Sequence, residues 1–126
     1  MADDMGYADF ERFGGSKIPT PALNRLCDEG VRFTDAYVTA PICVASRMGL
    51  MTGRDQQRFG VYGNFNSPNQ QKLALRETIM TKPFQQNGYR TGLVGKWHLS
   101  GNSEDDWQLP GPLSRGFDEC VAITGG

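Results

Sequence analysis

Twice in this chain a short run with helical spacing stops at a glycine and gives way to a run built for a strand. First "IPTPALNRLCDEG" (residues 18–30) precedes "VRFTDAYV" (31–38); later "ETIMTKPFQQNG" (77–88) precedes "YRTGLVGKWHL" (89–99). Helix-then-strand order, repeated, implies an α/β architecture with at least some parallel pairing. In the first unit Thr20 can cap, Pro21 suits the first helical position, and Leu23, Leu26 and Cys27 follow at helical spacing. Gly30 fits a left-handed stop, so the spacing predicts a helix over about 21–29. Val31 and Phe33 on one face of a β-branched, aromatic run predict a short strand over 31–38. In the second unit Thr78 or Thr81 can cap, Gly88 can stop, and Pro83 is awkward if the helix begins early, because an interior proline removes a backbone donor. Residues 89–99 read as a buried strand.

Between these units, residues 45–52 suit a helix whose first turn starts near Cys43 and which ends at Gly53. Residues 55–75 are rich in Gln, Asn and Gly without any period and read as a loop, and 100–116 is polar and irregular. At 126 residues and 38% hydrophobic content the chain is one domain's worth at most. Its 13 basic and 14 acidic side chains form no long block of either sign, so neither nucleic acid nor an anionic membrane is expected as a partner. No apolar run approaches the roughly 20 residues of a membrane span. Cys27, Cys43 and Cys120 are an odd set, which cannot form a closed disulfide framework, and without a C-x-x-C pair their spacing is wrong for a zinc ribbon or finger. His98 is the sole histidine, so any histidine-assisted chemistry within this chain runs through it.

Three constellations could carry chemistry. In "PICVASRMGLMTGR" (41–54), Cys43 and Arg47 would lie one turn apart on a helix. A residue at the helix start also meets free N–H groups and the positive end of the dipole, which acidify a thiol or hold an anion. Packed helical thiol and reactive centre are both compatible with that placement. The spacing is not the Cys-x5-Arg loop of tyrosine phosphatases. In "GLVGKWHL", Lys96 and His98 are two apart at the end of an apolar strand, where side chains two apart share a side and where α/β sheets gather ligands. They would supply a fixed cation and a proton carrier, or simply a surface cluster. A phosphate-loop reading of Gly95-Lys96 fails, because Trp97 replaces the needed hydroxyl and Arg90 the first glycine. Asp3 and Asp4, adjacent before Met5-Gly6-Tyr7, are either a solvated turn or shared ligands of a hard cation.

"ADDMGYADF", "IPTPALNRLCDEGVRFTDAYVTAPICVASRMGLMTGR", "NGYRTGLVGKWHL" and "RGFDE" stand in the order and spacing of the type I sulfatases. The chain resembles these formylglycine-dependent sulfuric ester hydrolases of the alkaline phosphatase-like superfamily over nearly its whole length. Cys43-Val44-Ala45-Ser46-Arg47, closing at Thr52-Gly53-Arg54, is similar to the family's maturation signal, with Ala45 where proline is commoner.

The resemblance implies that residues 1–126 are the N-terminal portion of a sulfatase catalytic domain: a mostly parallel sheet with flanking helices and its first strand missing. It implies that Cys43 is oxidised to formylglycine by a formylglycine-generating maturase, and that the hydrated aldehyde attacks the sulfur of a sulfate ester substrate. It further implies that Asp3, Asp4 and residue 43 bind a calcium ion and that Arg47 stabilises the nucleophile. Lys96 would contact the sulfate oxygens and His98 would take the proton as the sulfated intermediate collapses. Family members supply further calcium ligands and a general acid from later in the chain, so the isolated 126 residues are expected to be inactive and poorly soluble. A phosphonate or phosphate monoester hydrolase of the same superfamily and a non-catalytic remnant are the competing readings. A periplasmic or extracellular setting is what the family suggests.

Overall fold

A computed structural model describes residues 1–15, 17–63, 73–100 and 111–123. The chain forms two compact units, Met1–Tyr37 and Val38–Gly126.

The first unit is organised by one carboxylate. Helix α1 (Pro21–Glu29) starts with Pro21 at its first position, as its sequence predicts. Thr20 precedes it, but its hydroxyl does not cap the helix. Instead Glu11 Oε2 accepts from Thr20 N (2.8 Å), Thr20 Oγ1 (3.2 Å) and Asn24 Nδ2 (2.5 Å). These hydrogen bonds to its charged form hold the Glu11 carboxyl below its ordinary range, the Thr20 amide being the largest cause. Gly30 ends α1, though not in the left-handed conformation expected of it: its φ is −113°. A Cβ at residue 30 would lie 2.8 Å from the Leu26 carbonyl oxygen, which accepts the Gly30 N–H. Close approach, and not φ, therefore selects glycine here. Tyr7, Phe10 and Phe13 form a small aromatic cluster, with Tyr7 stacked on Phe13 at 4.6 Å and Phe10 edge-on at 4.9 Å. Residues 31–38 do not form the expected strand. Val31, Phe33 and Tyr37 are exposed, and among the described residues nothing pairs with this run. Alternation makes a strand possible, but a ladder partner makes it real.

The second unit holds the core: Val44, Ala45, Met48, Val61, Leu73, Ile79, Trp97, Leu99 and Phe117. Helix α2 (Cys43–Thr52) buries Val44 through Gly49 and stops at Gly53, whose φ of 64° is the left-handed stop the sequence predicts. Met80 N–H donates to the Met51 carbonyl, which links the end of α2 to helix α3 (Thr81–Gln86). Because α3 begins at Thr81, Pro83 falls in its first turn, where no N–H is required. Neither Thr78 nor Thr81 caps it; Thr81 Oγ1 donates to the Arg115 carbonyl.

Strand β1 (Gly92–Lys96) is shorter than the sequence suggests and pairs in parallel with β2 (Glu119–Ile123), from Gly92 beside Glu119 to Lys96 beside Ile123. Leu93 and Ala122 pack against the core, whereas Val94, Val121 and Ile123 are exposed. Asp118 ties the strand starts together, accepting from Thr91 N (2.7 Å) and Thr91 Oγ1 (2.9 Å). The loop expected over 55–75 contains a 3-10 turn at Gln56–Phe59; its residues 64–72 lie outside the described residues, as do 101–110 of the irregular stretch. Leu113–Arg115 is another 3-10 turn.

Candidate functional site

Pro41 and the extended Ile42 deliver the chain into α2, so Cys43 is the first helical residue and stands half-buried, outside any disulfide among the described residues. The N–H groups of the first turn have no intrahelical acceptor, and with the helix dipole they favour an anion near residue 43. One turn later Arg47 is buried, and its Nη1 donates to the Lys96 carbonyl oxygen at 2.5 Å. This bond crosses from α2 to the end of β1. It brings together the two segments that carry Cys43, Arg47, Lys96 and His98.

The expected alternation of Lys96 and His98 is not what places them. Strand β1 ends at Lys96, Gly95 has a φ of 115°, and His98 has a φ of 55°. A non-glycine residue in the left-handed region costs roughly 1–2 kcal/mol, and such strain gathers where a fold needs a side chain in one place. Lys96 is half-buried, while Trp97, His98, Leu99 and Ser100 are all buried.

Asp3 and Asp4 are exposed and belong to the first unit. Their oxygens are of the hard type that calcium takes, but two carboxylates fall short of its usual six to eight ligands. Among the described residues no group of three or more His, Cys, Asp or Glu side chains assembles into a cation shell.

A family model described as Sulfatase matches residues 1–125. The chain belongs to the sulfatase family. Among its relatives, arylsulfatase A of Bos taurus is 40% identical over 124 residues, covering 98% of this chain and 24% of that protein. The arylsulfatase of Klebsiella aerogenes is 36% identical over 135 residues, covering 100% of this chain and 27% of that protein. Of solved structures, Ps i-CgsB in complex with k-i-k-neocarrahexaose superposes with a TM-score of 0.85 at 36% identity, over 98% of this chain and 27% of that one. The PsFucS1 sulfatase from Pseudoalteromonas sp. gives 0.79 at 32% identity, over 99% of this chain and 25% of that one. This chain thus spans about a quarter of the length of the relatives it matches. The α/β reading with a small parallel sheet agrees with these sulfatase neighbours. No helix among the described residues is long and apolar enough to cross a membrane.

Sequence reasoning passed over two features of the second unit. Strand β2 was invisible to it, although the alternation in "ECVAI" signals a half-buried strand. Arg115, buried, donates to the Ala74 carbonyl (3.0 Å) and the Glu77 carbonyl (2.7 Å), which fixes the approach to α3. Burial lowers the pKa of its guanidinium, with the Glu77 charge partly opposing the shift. No local pattern marks that role; it depends on segments distant in sequence.

Proposed function

We propose that this chain provides the nucleophile-bearing part of a sulfuric ester hydrolase acting on a sulfated alcohol, phenol or sugar. The Arg47 bond to the Lys96 carbonyl carries the proposal, because it joins the helix that starts at Cys43 to the segment that ends at His98.

When present, formylglycine at position 43 supplies a hydrated aldehyde whose hydroxyl is a nucleophile towards sulfur. Cys43 suits that modification, being an accessible thiol at a helix start and heading a Cys-x-Ala-Ser-Arg signal read by a formylglycine-generating maturase. The first-turn N–H groups of α2 favour negative charge on the nucleophile. Arg47, buried and fixed, adds a permanent positive charge one turn away. The Lys96 ammonium binds sulfate oxygens, and the imidazole of His98 carries a proton to or from the group at position 43. Asp3 and Asp4 would offer carboxylate oxygens to a calcium ion, which when bound supplies Lewis-acid chemistry.

The test is to co-express the chain with a formylglycine-generating maturase, read peptide masses over residues 32–47, and then assay para-nitrophenyl sulfate against an aryl phosphonate with these residues rebuilt into a protein of their relatives' full length. Aldehyde at position 43 with sulfate-selective hydrolysis is the expected result. Phosphonate-selective hydrolysis would move the chain to the sister activity. A persistent thiol, with the maturase active on a control peptide, would remove the catalytic reading.

A further inference from the structure

We propose that Ser100 is a positioning residue for His98, acting through the indole of Trp97; this rests on the hydrolase reading above. After β1 the backbone leaves the sheet within four residues, and each neighbour of His98 is tied down. The Trp97 N–H donates to the Ile123 carbonyl (2.9 Å), and the Leu99 carbonyl accepts from Leu73 N–H (3.3 Å). Arg47 holds the Lys96 carbonyl from the other side. The Trp97 ring is 2% exposed and meets Phe117 edge-on, with centroids 6.0 Å apart.

An indole N–H buried so deeply needs an acceptor. It finds one three residues on: Nε1 donates to Ser100 Oγ at 2.6 Å, and Ser100 is 0% exposed. Trp97 and Ser100 thereby close a side-chain staple across the one described non-glycine residue with positive φ, which is His98. The core grips the indole, the indole grips the serine, and the residue between them is held in a backbone conformation it would otherwise leave. Alanine at position 100 removes the acceptor, frees the turn to relax, and shifts the imidazole relative to Lys96 and α2.

The experiment uses these residues within a protein of their relatives' full length, matured at Cys43 by co-expression, as wild type, Ser100→Ala, Ser100→Thr, Trp97→Phe and the Ser100→Ala/Trp97→Phe double variant. The Trp97 indole N–H resonance, assigned by its loss in Trp97→Phe, should exchange with deuterium about tenfold faster in Ser100→Ala. With para-nitrophenyl sulfate, kcat should fall about tenfold in Ser100→Ala and Trp97→Phe with KM within about twofold. The double variant should fall no further, because both changes break one bond. Ser100→Thr, which keeps the hydroxyl, should recover most of the rate. Exchange and kcat both within about twofold of wild type in Ser100→Ala overturn the proposal, as do additive losses in the double variant. A wild-type full-length protein that carries the aldehyde but hydrolyses no sulfate ester overturns the hydrolase reading and the catalytic part of this one. That result is told apart because faster exchange in Ser100→Ala still reports the staple.

Discussion

Replacing Gly49 by alanine puts two opposed effects into one helix turn. Alanine is favoured over glycine inside a helix by roughly 1 kcal/mol, and α2 is the helix that opens with Cys43. Against that, a Cβ at residue 49 would lie 2.1 Å from Thr39 Oγ1 and 3.2 Å from both Thr39 Cβ and Cγ2. Rotating Thr39 exchanges one crowded atom for the other and leaves its Cβ in place, so the backbone at residue 39 has to retreat. That backbone is engaged: the Thr39 carbonyl accepts from Gln56 Nε2 at 3.1 Å, and Gln56 is 2% exposed. Overpacking costs about 1–3 kcal/mol, and weakening this part-buried hydrogen bond adds about 1 kcal/mol. Gly49→Ala should therefore lose about 1–3 kcal/mol net once the propensity gain is subtracted. In a Thr39→Ala background only the 3.2 Å Cβ contact remains, and the same substitution should turn neutral or gain up to about 1 kcal/mol. Urea unfolding of the four proteins, followed by tryptophan emission and far-ultraviolet circular dichroism, closes the cycle. A raised midpoint for Gly49→Ala beside native Thr39, or an equal effect in both backgrounds, would refute the reasoning.

Three further outcomes are expected. Because hydrogen bonds hold the Glu11 carboxyl below its ordinary value of 4.5, its contribution is complete above that pH and is lost as pH falls through the lowered folded value. The helical signal of the first unit should weaken on acidification in that window, and Glu11→Gln should remove that pH dependence; an unchanged acid profile would contradict it. Arg115→Met leaves the Ala74 and Glu77 carbonyls without their shared donor and should cost about 2–4 kcal/mol in urea unfolding, with Arg115→Lys losing less. Parallel sheets are normally covered on both faces, yet Val94, Val121 and Ile123 are exposed. Val121→Lys should therefore reduce binding of a hydrophobic dye and slow aggregation of the isolated chain, and unchanged dye binding would rule out that face as the cause.

What could be read from the sequence, and what could not, divides along the reach of the interactions involved. The starts and stops of α1 and α2 were legible because proline, glycine and the apolar spacing act within one turn. Gly53 has the positive φ its place demands. Gly30 does not, and its glycine is explained only by a carbonyl four residues back that no spacing rule weighs. The run at 31–38 misled because alternation reports what a segment could do beside a partner, and the partner lies outside the pattern. Conversely β2 was missed, though it is the strand that pairs with β1 and accepts the Trp97 N–H.

The candidate site shows the same division. Cys43 and Arg47 were legible as one helix turn. That Arg47 reaches the Lys96 carbonyl is a contact across 49 residues, and no motif announces it. Lys96 and His98 were chosen for a reason the structure replaces: strand alternation stops at Lys96, and His98 is instead set by a left-handed backbone between Trp97 and Ser100. The residue types could be singled out from the sequence because their chemistry is intrinsic. Their arrangement had to be learned from the fold, since a strained conformation exists only where distant segments agree to hold it.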